Sequence, residues 1–136
     1  MMTVMELIAA LRRYPGNLIV VARSNHAEKP GEIENIASCD SINKHDRSYL
    51  IFGTSMYEEK TSDEVIGMLL EQDGNSTIAY DPDGFTFAYD LVECDSVRKV
   101  KCKKKKKTFH DIMDHQNFTA EVYEVSWRGR YMLLIQ

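Results

Sequence analysis

Long apolar runs are missing from this chain. No stretch approaches the roughly 18 consecutive apolar residues of a membrane-spanning helix, so the sequence offers none. The opening, M-M-T-V-M-E, has no basic start, and an acid interrupts its apolar residues. It does not read as a secretory signal, and the expected compartment is the cytoplasm. Cysteine is scarce: Cys39, Cys94 and Cys102 cannot all pair, and none forms C-x-x-C. Reduced, buried thiols are expected rather than a disulfide framework or a redox pair. No G-x-S-x-G, H-E-x-x-H, Walker loop or G-x-G-x-x-G occurs. The signatures of nucleophilic hydrolases, zinc proteases, nucleotide-binding P-loops and dinucleotide enzymes are therefore absent. The chain is expected to be non-enzymatic, with no catalytic residues and no cofactor.

Charge of one sign is scarce or missing in two stretches. Residues 58–95 hold eleven acids and one base, Lys60, whereas residues 98–107 hold eight bases and no acid. The formal net charge is −4 over 136 residues. With 43% hydrophobic and 28% charged residues, the composition suits a globular protein with one core.

One pattern recurs three times. T-V-M-E-L-I begins at Thr3, T-S-D-E-V-I at Thr61 and T-F-H-D-I-M at Thr108. A threonine side chain can accept from the backbone N–H three residues on. An acid there can reach back and also suits the positive end of a helix. Three capped helices are therefore expected, over residues 3–14, 61–72 and 108–115. At a shift of 58, residues 3–17 share Thr3/Thr61, Glu6/Glu64, Ile8/Ile66, Leu11/Leu69, Gly16/Gly74 and Asn17/Asn75. Cys39-Asp40-Ser41 is echoed by Cys94-Asp95-Ser96 at a shift of 55. These matches suggest an internal duplication in which Cys39 and Cys94 occupy equivalent places.

Between the helices the signals are those of strands. Leu18-Ile-Val-Val-Ala22 is a continuous apolar run, as in a central strand buried on both faces. Further strands are expected near 33–39, 48–54, 76–80, 85–91, 97–102, 119–127 and 131–135. Turns fall at Asn43-Lys-His-Asp-Arg47, Asp81-Pro82-Asp83-Gly84 and Arg128-Gly129-Arg130. The expected fold is α+β: a mostly antiparallel sheet with three helices on one face, ordered αβββ-αβββ-αββ. It would form a single domain, 1–136, from units 1–57, 58–107 and a shorter 108–136. Each unit is too small to stand alone.

Three groups of residues could carry function. Arg98, Lys99, Lys101, Lys103, Lys104, Lys105, Lys106 and Lys107 lead into the expected third helix. A helix start preceded by lysines suits an anion, either nucleic acid or a small phosphorylated ligand. The plainer readings are a solvated loop or a charged sheet edge. No aromatic lies within 98–107 to stack on bases. The acidic tract, including Glu58, Glu59, Asp81 and Asp83, could steer a basic partner. Trp127, Arg128 and Arg130 with Tyr131 are residue types enriched at binding hot spots. His110 and Asp114 would share a face of the third helix. Two ligands do not make a metal site, so none is expected.

The first 22 residues, with T-V-M-E-L-I-A-A-L, Tyr14-Pro15 and Leu18-Ile-Val-Val21, resemble the start of many small proteins of tailed bacteriophages and prophages. The resemblance covers about a sixth of the chain and transfers no catalytic residue. It implies a phage accessory protein of the host bacterial cytoplasm. Such a protein would bind and modulate or inhibit a host or defence protein, of the CRISPR type among others. The alternative expectation is a nucleic-acid or phosphorylated-ligand binder acting through the lysine segment.

Overall fold

The computed structural model describes residues 2–23, 32–44, 47–55, 58–80, 92–111 and 115–136. Their order is α1 (Val4–Leu11), β1 (Val20–Arg23), β2 (Glu32–Lys44), β3 (Arg47–Ser55), α2 (Ser62–Leu70), β4 (Thr77–Tyr80), β5 (Val92–Glu93), β6 (Val97–Asp111), β7 (Gln116–Val125) and β8 (Arg130–Ile135). The class is α+β, as expected, and the described strands form one mixed, curled sheet in the order β1-β8-β6-β7-β2-β3-β4-β5. Pairings β1–β8 and β3–β4 are parallel and the others antiparallel. Because β1 also pairs with β2, the strands β1, β8, β6, β7 and β2 close into a ring. Among the described residues, no helix is long and apolar enough to cross a membrane.

The ring explains the apolar runs. Val21, Ile33, Val100, Cys102, Tyr123, Met132 and Leu134 form one buried cluster, with a contribution from each of its five strands. Val20, Ala22, Leu133 and Ile135 alternate with them along β1 and β8 and pack instead with Leu7, Leu11, Val65 and Leu69 of the helices. β1 and β8 are thus covered on both faces, which alternating polar residues would not permit. Each fully buried Leu or Val contributes on the order of 1.5–3 kcal/mol relative to exposure. Two such layers fix the register.

Two of the three threonine signals cap helices. Thr3 Oγ1 accepts from the Glu6 N–H at 3.2 Å and Glu6 accepts from the Thr3 N–H at 3.3 Å. Thr61 and Glu64 repeat this at 3.3 and 3.1 Å. The remaining helix-start donors are met reciprocally. The Val4 N–H donates to Ser76 O at 2.9 Å, and the Ser62 N–H to Leu18 O at 2.7 Å. The Met5 N–H donates to Gly74 O, and the Asp63 N–H to Gly16 O. The Ile78 N–H donates to Met2 O, and the Val20 N–H to Lys60 O. Bridges Thr3↔Thr77 and Ile19↔Thr61 complete the pattern. Every member of each pair lies 58 residues from its counterpart, so each helix start is clasped by the loop that follows the other helix. The two hairpins obey the same shift: Val21 pairs with Asn35, and Ala79 with Glu93.

The equivalence stops there, and the αβββ-αβββ-αββ organisation is not found. Cys39-Asp40-Ser41 lies inside β2, with Cys39 opposite Phe52 of β3. Cys94-Asp95-Ser96 instead joins β5 to β6, and Asp95 and Ser96 donate their N–H groups to Gln136 O. The cysteines are therefore not equivalent. The expected third helix is not found either. Thr108 to Asp111 end β6, paired one by one with Thr119 to Gln116 of β7. Thr108 Oγ1 lies 3.4 Å from Thr119 Oγ1 across the ladder instead of capping a helix. Residue-by-residue strand pairing has overridden a local signal worth about 1 kcal/mol. His115, with φ 54°, turns the chain in the left-handed region. The expected strand at 85–91 and the turn at 81–84 lie outside the described residues.

Candidate functional site

The basic residues 98–107 lie on β6, not in a loop before a helix. A strand sends successive side chains to opposite faces, so this run charges both. Val100 and Cys102 point into the ring cluster. Lys104, in phase with them, reaches the carboxylate of Glu59 at 3.4 Å. Glu59 also accepts from Arg130 of β8 at 2.8 Å and from the hydroxyl of Tyr123 on β7. One acid from the segment before α2 thus ties together three strands of the ring.

The other face of β6 is a ladder. Lys103 and Lys105 hold the Glu124 carboxylate at 3.2 and 3.1 Å. Their hydrogen bonds, Lys105 first, keep Glu124 below the usual carboxylate range. Lys99 and Lys101 stand over the ring of Tyr131, 4.3 and 4.9 Å from its centroid. Tyr131 faces Lys101 in the β6–β8 register, which is what brings ring and ammonium together. Lys104 similarly lies 5.7 Å from the Tyr123 ring.

Beside this ladder the β7–β8 turn carries Trp127, 78% exposed, with the Arg128 guanidinium 4.8 Å from its ring centre. Tyr131 is 48% exposed. Gly129 sets the position of the turn: a Cβ there would sit 2.0 Å from the Cys102 carbonyl oxygen. Only a residue without a side chain lets the turn lie this close to β6. Burial pushes the Cys102 thiol up to about 11, with Arg130 opposing in part. At neutral pH it is a protonated thiol, not a nucleophile.

The residues singled out from sequence divide accordingly. Arg98, Lys99, Lys101, Lys103, Lys104, Lys105 and Lys106 share β6 with Lys107, and Trp127, Arg128 and Arg130 stand at the adjoining turn and strand. Glu59 joins them, while Glu58 pairs with Lys60 at 3.0 Å. Asp81, Asp83 and Asp114 lie outside the described residues. His110 is on β6, its Nδ1 2.9 Å from Asn117 Oδ1. Among the described residues, no three His, Cys, Asp or Glu side chains converge as a metal would require. Sequence reasoning missed Tyr131 as the aromatic partner of Lys99 and Lys101, and Glu124 and Glu59 as their neighbours' counter-ions. These contacts depend on which strands neighbour β6, and no local signal carried that. In comparisons with known proteins, no family model, curated protein or solved structure matches the chain.

Proposed function

We propose that this chain is a non-enzymatic interaction protein. Its β7–β8 turn and the first residues of β8 hold an acidic patch on a partner protein. The observation that carries this reading is Trp127, a large aromatic side chain left mostly in water and flanked by Arg128. Tyr131 stands nearby between two lysines. Tryptophan, tyrosine and arginine dominate binding hot spots, and a positive rim steers an acidic partner toward them. The phage-like opening directs the search to host bacterial proteins, defence components among them.

The test is capture from a bacterial lysate at low and high salt, comparing the wild type with Trp127→Ala, followed by calorimetry on the purified partner. Loss of Trp127 is expected to weaken the complex by about 2 kcal/mol or more, roughly 30-fold. Identical capture by the wild type and the variant would refute the reading.

A further inference from the structure

Lys99, Lys101, Lys103 and Lys105 share one face of β6, because a strand sends every second side chain the same way. Two of them show what this spacing fits. Lys103 and Lys105 take one oxygen each of the Glu124 carboxylate, at 3.2 and 3.1 Å. Their hydrogen bonds keep that group below the usual carboxylate range. Lys99 and Lys101 repeat the spacing one step along the strand.

This second pair has no such acid. Lys103 faces Glu124 in the β6–β7 register, whereas Lys101 faces Tyr131 in the β6–β8 register. Among the described residues, Lys99, Lys101 and Arg128 make no ion pair. Both ammonium groups lie over the exposed Tyr131 ring, 4.3 and 4.9 Å from its centroid. The ring attracts them through its quadrupole but carries no net charge. Each ammonium has three donors, so neither is used up by the ring. Two cations gathered at one ring repel each other, and a carboxylate received between them removes that repulsion. An apolar anchor adjoins the pair. The Ser126 N–H donates to Lys101 O at 2.8 Å, which seats the turn bearing Trp127 beside it.

We infer that Lys99 and Lys101 receive the side-chain carboxylate of one Asp or Glu of a partner protein. Tyr131 is the positioning residue that gathers the two ammonium groups. Trp127 packs on a large apolar side chain of the same partner segment. The inference rests on the reading that Trp127 anchors a protein, and it names what that protein presents: an acid a few residues from a large apolar side chain. A carboxylate is favoured over a phosphate because Glu124 already fits the same lysine spacing, one oxygen to each lysine.

NMR titration of the full chain tests it, following the side-chain CH2 signals of Lys99 and Lys101 and the indole N–H of Trp127. The probes are a short peptide amide with Glu two residues from Phe, its Gln counterpart, and single-stranded oligothymidylate. At 50 mM salt the Glu peptide is expected to move all these signals and to bind about tenfold more tightly than the Gln peptide. Lys99→Gln with Lys101→Gln should abolish that preference and leave the Gln peptide's affinity unchanged. Tyr131→Leu should reduce the preference, and Tyr131→Phe should keep it. Trp127→Ala should weaken both peptides alike and leave their ratio intact. No binding of the Glu peptide, equal affinity for the two peptides, or a preference that survives in the double lysine variant would overturn the inference. Equal affinities that both fall with Trp127→Ala would overturn it alone and leave the Trp127 reading standing. Trp127→Ala without effect on either peptide would overturn both. Oligothymidylate held more tightly than the Glu peptide would also overturn it, and would make the lysine pair a phosphate site.

Discussion

At the scale of single residues, Ser62 is the clearest imperfection. It opens α2, is fully buried, and its hydroxyl has no hydrogen-bond partner among the described residues. Its N–H is satisfied by Leu18 O, so only the side chain is at fault. The residue 58 positions earlier, Val4, is buried in the equivalent place without a polar atom. A buried unpaired hydroxyl costs on the order of 1–3 kcal/mol. Ser62→Ala is therefore expected to stabilise the protein by about 1 kcal/mol, read as a rise in urea midpoint at constant m-value. A lower midpoint would show that the hydroxyl has a partner in solution.

At the scale of elements, the clasp between the helix starts and the facing loops makes the two caps comparable. Thr3→Ala and Thr61→Ala each remove an acceptor for a helix-start N–H and should each cost about 1 kcal/mol. Because the two starts are tied to each other's loops, the double variant should lose more than the sum of the singles, measured as a double-mutant cycle. Strict additivity would mean that the halves do not feel each other. Both helices were legible in the sequence because a capping box is local: Thr and Glu three apart suffice. The same signal at Thr108 misled, because strand pairing over ten positions of β6 and β7 outweighs one cap. The lysine run was legible as charge but not as a ladder. Its meaning depends on Tyr131, Glu124 and Glu59, which only the curled sheet brings alongside. The continuous apolar run at β1 did reveal a strand covered on both faces, since burial leaves its mark residue by residue; the same covering of β8 was not read from its sequence.

At the scale of the whole molecule, acid should loosen what the carboxylates hold. Glu64 is kept below its ordinary value of 4.5, first by the Thr61 backbone N–H and then by the Thr61 hydroxyl. Glu124 is kept below the same value by Lys105 and Lys103. A carboxylate with a depressed folded pKa contributes stability that is fully present above its unfolded value. That stability is lost as pH falls through the lower folded value. Melting temperature should therefore be flat from pH 7 to about 5.5 and decline below about 4.5. Glu124→Gln should shrink the decline, and Glu64→Gln should do the same at the other end of the fold. A decline of the same size in both variants would place the acid sensitivity elsewhere. The ring also orders events in time. Its β1 strand is translated more than a hundred residues before β8, the partner that covers one of its edges. On the ribosome, that sticky seam waits bare until β8 emerges, so nascent chains halted before residue 130 should be cut by protease at Val20–Arg23, and chains that include β8 should resist.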